Sequence, residues 1–342
     1  MKIALDAMGG DHAPSAIVEG AVEALNEYGD LELVLVGDER SILRELTGKR
    51  FPSDRVEISH APEVIGMDEP PLAAIRKKKN SSIRKAIELE KGGAAHAVVS
   101  AGHSGVAMAL ALIVLGTSQG VDRPAIAAIM PTYKKPFVLI DAGANVDCNP
   151  VNLLQFALMG NAYAKYIFER PDPKVAILSI GEEATKGNEL TKESFKLIKE
   201  SGLNFMGNIE GKDIFLGDAD VVVCDGFIGN IVLKTSEGLA EMVIKMLKKE
   251  IAGATAGRLG YLFIKGALKG FKKKTDYAEY GGAPLLGING TCIISHGRST
   301  SKAIKNAIKV ASEFSRKKIY DIIREEINRN SLPVKGSTLA AG

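Results

Sequence analysis

Short runs of apolar, β-branched residues alternate along this chain with segments of helical period. KIALDA (residues 2–7) leads through MGGDHAP into SAIVEGAVEALNEY, where Pro14 suits a helix start because the amide it lacks is unpaired there anyway. AHAVVS leads through AGHSG to VAMALALIVLG, and FVLID through AGANVDCNP to VNLLQFALMGNAYAKYIF. VAILSI leads through GEEATKGNE to LTKESFKLIKES, DVVVCD through GFIGN to IVLKTSEGLAEMVIKML, and LELVLVGDER is a shorter sixth case. Alternating strands and helices predict an α/β fold with a mostly parallel sheet covered on both faces. Ligands of such sheets lie beyond the carboxyl ends of the strands. Asp6, Ser100, Asp141, Ser179 and Asp225 fall at those ends, so their loops are expected to line one cleft.

The pattern changes between Lys234 and Tyr277. Leu239, Met242, Val243, Met246 and Leu247 share one helical face. After the small-residue break IAGATAG comes RLGYLFIKGALKGFKKK. There Tyr261, Ile264, Leu268 and Phe271 share a face, with Leu259, Leu262 and Phe263 beside them and basic residues around. Left exposed, this face is a liability. A helical arm over 234–277 is therefore expected to bury itself in a dimer, in the core or at a membrane surface. Residues 1–330 read as a single α/β unit, and 331–342, SLPVKGSTLAAG, as a tail.

Composition narrows the class. Of 342 residues, 46% are hydrophobic and 25% charged, with a net charge of +3, which describes a globular protein with ample core. Neither that charge nor 6% aromatics supports a nucleic-acid surface. Cys148, Cys224 and Cys292 form no CxxC pair, which argues against zinc and against a disulfide framework. The longest apolar run, VAMALALIVL, has ten residues, about half of what a membrane span needs. A cytoplasmic location is expected.

Glycine-rich turns entering helices present bare amides to anions, and GGDHAP, AGHSG and GFIGN all fit. The same glycines also serve as plain tight turns. None matches a P-loop or a dinucleotide fingerprint. Lys186, in GEEATKGNEL, either neutralises an anion or is solvated. Asn230, ending DGFIGN, either donates to a developing oxyanion or caps the helix that follows. His12, His103 and His296 sit beside glycines in loops, as acid–base or anion-binding candidates. Cys148 is the best placed thiol for covalent chemistry, although no histidine neighbours it. The basic run of Arg76, Lys77, Lys78 and Lys79 either grips an acidic partner or is a solvated face.

These motifs together resemble one family. ALDAMGGDHAP, RKKKNSSI, VSAGHSG, DRPA, LIDAGANVDCNP, GEEATKGNELTKE, NIEGKDI, DGFIGNIVLKTSEG, YGGAPLLG and ISHGRS occur in the order found in the bacterial acyl-acyl carrier protein:phosphate acyltransferases. One departure is His103-Ser104, where the family usually has asparagine-threonine. The resemblance implies a three-layer fold like that of isocitrate dehydrogenase, with two interleaved subdomains. It also implies transfer of a long acyl chain from acyl carrier protein to inorganic phosphate, early in phospholipid synthesis. A homodimer is implied too, docked peripherally on the membrane, whose product passes to a membrane glycerol-3-phosphate acyltransferase. No metal, nicotinamide or other cofactor is implied.

By the same resemblance Lys186 and Asn230 stand at the reacting centre. The surrounding turns supply a phosphate and substrate pocket from Asp6, Gly9, Gly10, His12, Ser100, Gly102, His103, Ser104, Gly105, Asp141, Asn145, Asn188, Asp225, Gly226 and His296. Arg76 to Lys79 are the candidate surface for the acidic carrier protein. Leu259, Tyr261, Leu262, Phe263, Ile264, Leu268 and Phe271 form the membrane or dimer arm. The rivals are a phosphotransacetylase using a short acyl-CoA, a decarboxylating dehydrogenase on the same fold, and a non-catalytic scaffold that binds carrier protein.

Overall fold

A computed structural model describes residues 1–253, Gly266, Gly270 and 279–330. Its strands are β1 (Lys2–Asp6), β2 (Glu32–Gly37), β3 (Val56–His60), β4 (Ala97–Ser100), β5 (Ala125–Met130) and β6 (Phe137–Ile140). They continue with β7 (Val175–Ser179), β8 (Phe205–Glu210), β9 (Val221–Val223), β10 (Ala283–Leu286) and β11 (Cys292–Ile294). All eleven form one sheet in the order β3-β2-β1-β4-β11-β10-β5-β6-β9-β7-β8. Pairing is parallel except where β10 meets β11 and β5, and where β5 meets β6. The expected α/β architecture is present.

Both faces of the sheet are buried, which is why the strands read as continuous apolar runs rather than alternating ones. On β1, Ile3 and Leu5 face helices Ser15–Glu27 and Ser301–Arg316, packing with Ile17, Ala21, Ile304 and Ile308. Ala4 faces the opposite core with Val98, beneath helices Ser82–Lys91 and Ser104–Val114. In the other half, helix Pro150–Tyr166 is buried along most of its length. It lies between the sheet and helices Glu189–Glu200 and Ile319–Asn330, which contribute Ile198, Ile319, Ile323 and Ile327. Its start is locked by a reciprocal cap between Asn149 and Asn152, with Pro150 in the first turn.

Helix Gly226–Gly253 carries Asn230 and is 28 residues long, about 42 Å at 1.5 Å per residue. The expected arm therefore does not start as a separate element at Lys234; its first half is the continuation of this helix. Leu239, Met242, Val243, Met246 and Leu247 are all exposed along it, between 41% and 58%. Leu259, Tyr261, Leu262, Phe263, Ile264, Leu268 and Phe271 lie outside the described residues, as does 331–342. Among the described residues no helix is long and apolar enough to cross a membrane.

Candidate active site

The loop after β6 is built around one carboxylate. Asp141 is fully buried, and its Oδ1 accepts from the amides of Ile126 (3.1 Å), Gly143 (3.1 Å) and Ala144 (2.9 Å). Its Oδ2 accepts from the Asn145 amide at 2.7 Å and from Asn145 Nδ2 at 2.9 Å. Burial pushes the Asp141 carboxyl up, and these donors oppose that shift. Asn145 spends its other side-chain donor on the Pro124 carbonyl at 2.7 Å. Both residues were expected to bind phosphate; the hydrogen bonds they make here hold the loop.

Helix Gly226–Gly253 starts against this loop, and glycine is required where they touch. A Cβ on Gly226 would lie 2.7 Å from the Asn145 backbone, and one on Gly229 would lie 1.8 Å from the Asp141 carbonyl oxygen. The Gly226 amide donates to the Asn145 carbonyl at 2.7 Å. The helix is capped by Asp225, whose Oδ1 accepts from the Ile228 amide at 2.9 Å. The capping alternative for Asn230 therefore falls away, because Asn230 lies inside the first turns. Its side chain is exposed and rests against Gly143, where a Cβ would meet Asn230 Cβ at 3.4 Å.

The turns after β1 and β4 form a second tight contact. Ser100 Oγ donates to Asp6 Oδ2 at 2.6 Å and accepts from the Gly102 amide at 3.1 Å. Gly9 lies so close that a Cβ would stand 2.5 Å from Asp6 Oδ2. Burial raises the Asp6 carboxyl, and the Ser100 and Ser82 hydroxyls offset this only in part. Asp6 and Ser100 thus fix the turn from beneath, while Gly102 and Ser104 line the cavity described below. His103 caps helix Ser104–Val114, its Nδ1 accepting from the Gly105 amide at 3.1 Å. An imidazole nitrogen here does the capping work that an asparagine oxygen performs elsewhere.

A cavity of ≈ 440 Å³ lies over the centre of the sheet. Gly102 and Ser104 come to it from the β4 turn, Ala142 and Gly143 from the β6 turn, and Asn230, Leu233, Lys234 and Glu237 from the long helix. The segment after β11 adds Ser295 to Ser299. His296 is half-buried there, and burial followed by the charge of Lys234 pushes its imidazole down. Its Nδ1 accepts from the Arg298 amide at 3.1 Å. His12 is exposed and does not line the cavity.

The loops at the strand ends do not all line this cavity. β7 lies beyond β9 in the sheet, and Lys186, on the loop that follows β7, is exposed and absent from the cavity wall. Asn188 caps helix Glu189–Glu200 through the Thr191 amide at 2.9 Å. The basic run is broken by the end of helix Pro71–Lys77. Lys78 is held by Glu69 at 2.5 Å and by the Val64 carbonyl, so Arg76, Lys77 and Lys79 are the exposed members. Cys148 is a poor nucleophile, since burial and the nearby Asp141 carboxylate push its thiol up to about 11. Cys224 and Cys292 are buried, with thiols higher still than the ordinary range.

Sequence reasoning missed most of the cavity floor: Ile126 and Ala128 on β5, Ala283 on β10 and Ile294 on β11. β10 and β11 have only four and three residues, and β5 is alanine-rich. Arg298 and Ser299 lie within the recognised ISHGRS motif, which was signal enough to have included them.

Similar folds define the class first. A phosphotransacetylase from Streptococcus pyogenes superposes with a TM-score of 0.62 at 21% identity, over 92% of this chain and 94% of that one. A 4-hydroxythreonine-4-phosphate dehydrogenase from Klebsiella pneumoniae gives 0.51 at 15%, over 92% and 99%. At these identities the likeness concerns the fold alone. A family model described as "Fatty acid synthesis protein" matches residues 1–321. The phosphate acyltransferase of Thermodesulfovibrio yellowstonii is 59% identical over 96% of this chain and 95% of its own. That of Pelotomaculum thermopropionicum is 54% identical over 98% and 97%. The chain belongs to this family, the phosphate acyltransferases, which are transferases of acyl groups.

Proposed function

We propose that the protein transfers a long acyl chain from acyl carrier protein to inorganic phosphate, early in phospholipid synthesis. A phosphate oxygen attacks the thioester carbonyl carbon, and the tetrahedral oxyanion collapses as the C–S bond breaks. The electron pair leaves with sulfur, so the products are acyl phosphate and carrier-protein thiolate. Phosphate is itself the nucleophile, and no serine or cysteine has to be activated. Holding it against the carbonyl supplies much of the barrier reduction. Asn230 donates its amide to the oxyanion, and Lys186 offsets charge on phosphate and intermediate.

The observation carrying this reading is the cavity, where an exposed amide shares one space with an apolar floor, in a chain whose relatives are named phosphate acyltransferase. Arg76, Lys77 and Lys79 offer exposed cations to an acidic carrier protein. The exposed apolar stripe of the long helix fits a homodimer that rests on the cytoplasmic face of the membrane, where a glycerol-3-phosphate acyltransferase takes up the product.

The test is release of carrier-protein thiol from palmitoyl-acyl carrier protein, with and without inorganic phosphate, chelator present throughout. Phosphate-dependent release with acyl phosphate recovered is expected. Release from acetyl-CoA but not from the palmitoyl donor would move the protein to the phosphotransacetylase reading. No release from either would leave the scaffold reading standing.

A further inference from the structure

Building on that reading, we infer that the floor of the cavity holds the donor's hydrocarbon chain and that Ala283 and Ala128 set the chain length accepted. The floor joins three strands that are distant in sequence: Ile126 and Ala128 from β5, Ala283 from β10 and Ile294 from β11. Strands β5 and β10 are hydrogen-bonded neighbours, with Leu285 opposite Ile126. Every residue that these three strands contribute to the lining is apolar, and Leu233 of the long helix adds a further apolar wall.

Water on such a floor finds no side-chain hydrogen-bond partner, so hydrocarbon is its natural filling. Phosphate needs donors, and the pantetheine arm of a carrier protein brings amides that need partners. Both are better served by the polar wall of Ser104, Asn230 and Lys234. At ≈ 440 Å³ the cavity falls within the range of about 300–1,000 Å³ typical of small-molecule sites. The reacting carbonyl belongs at Asn230, and the chain runs from there over the strands. Ala283 and Ala128 are the smallest side chains on that path; bulk added at either removes the room beneath the distal carbons.

The experiment uses the full chain and two readouts. The first is binding of a fluorescent long-chain fatty acid, displaced by palmitate or octanoate. The second is phosphate-dependent turnover of octanoyl- and palmitoyl-acyl carrier protein. Ala283→Leu is expected to cut the palmitoyl-to-octanoyl ratio of kcat/KM about tenfold or more, with octanoyl turnover kept, and to weaken palmitate binding. Ala283→Val and Ala128→Val are carried alongside, with thermal unfolding as the control for folding. An equal change at both chain lengths in the folded variants, or no change, overturns the inference while the acyl-transfer reading stands. Palmitate binding lost in Ala283→Leu, in a protein that releases no thiol, sinks the reaction and leaves the chain site intact.

Discussion

The two residues assigned to the reacting centre sit in opposite surroundings. Asn230 projects from a helix whose start is wedged against the Asp141 loop, with five donors on one carboxylate and glycines where backbones meet. Lys186 projects from the exposed stretch 182–186, tied by its own amide to the Glu183 carbonyl at 2.9 Å and by Asn208 to the same oxygen at 2.8 Å. Ser179 Oγ and Asn208 Oδ1 are buried nearby without a hydrogen-bond partner among the described residues. The contrast suits the two tasks proposed for them. A hydrogen-bond donor to an oxyanion loses its worth when it moves by a fraction of an ångström. A counter-charge acts over several ångströms and tolerates a mobile stem.

The sharpest way to break this comparison is to disturb the wedge. Gly229→Ala drives a methyl into the Asp141 carbonyl, and a loss of at least about 3 kcal/mol is expected in urea unfolding. Gly238→Ala, in the same helix with open space around it, is expected to gain about 0.5–1 kcal/mol. Equal effects of the two would dispose of the wedge. Next comes the split between the assigned residues. Asn230→Ala is expected to lower kcat about 100-fold with phosphate KM little changed. Lys186→Ala is expected to lower turnover while raising phosphate KM, and added salt should shrink its deficit because the exposed charge is screened. Normal turnover in both variants would remove the assignment.

Smaller effects test the edges of the wedge. His103→Ala should cost about 1 kcal/mol of stability by losing the cap, and His103→Asn should restore it. A cap that asparagine fails to replace would mean that the imidazole does something further. Cys148 reports on the locked side directly, since its thiol is pushed up to about 11 by burial and then by Asp141. A raised thiol pKa keeps the thiolate scarce at neutral pH. Alkylation at Cys148, followed by peptide mapping, should quicken about tenfold per pH unit from 7 toward 11. A plateau near 8.5, the ordinary thiol value, would show a loosely held loop.

Several features were legible in the chain itself. Apolar runs ending at Asp6, Ser100, Asp141, Ser179 and Asp225, with LELVLVG as a sixth, identified six strands of the sheet, because a strand buried on both faces announces itself. The five strands overlooked were edge strands, short strands or, in one case, alanine-rich. β3 and β8 sit at the sheet's edges with half-exposed residues, β5 is alanine-rich, and β10 and β11 have four and three residues. The glycines of GGDHAP and GFIGN were read as turn or anion signals, whereas Gly9, Gly226 and Gly229 answer first to close backbone approach. Asp141 and Asn145, polar and at a strand end, look like ligands in one dimension, and their bracing of the loop shows only in three.

By itself the sequence determined the α/β class and, through its ordered motifs, the family, since periodicity and turn chemistry are local and survive being read along a line. Only the tertiary structure decided that Lys186 lies off the cavity wall while Asn230 lies on it. That outcome rests on where the loop after β7 and the helix after β9 lie relative to the apolar strands β5, β10 and β11, and pairing across long stretches of chain sets those places. The apolar floor was settled the same way, because antiparallel β10 brings Ala283 beside a strand more than a hundred residues away.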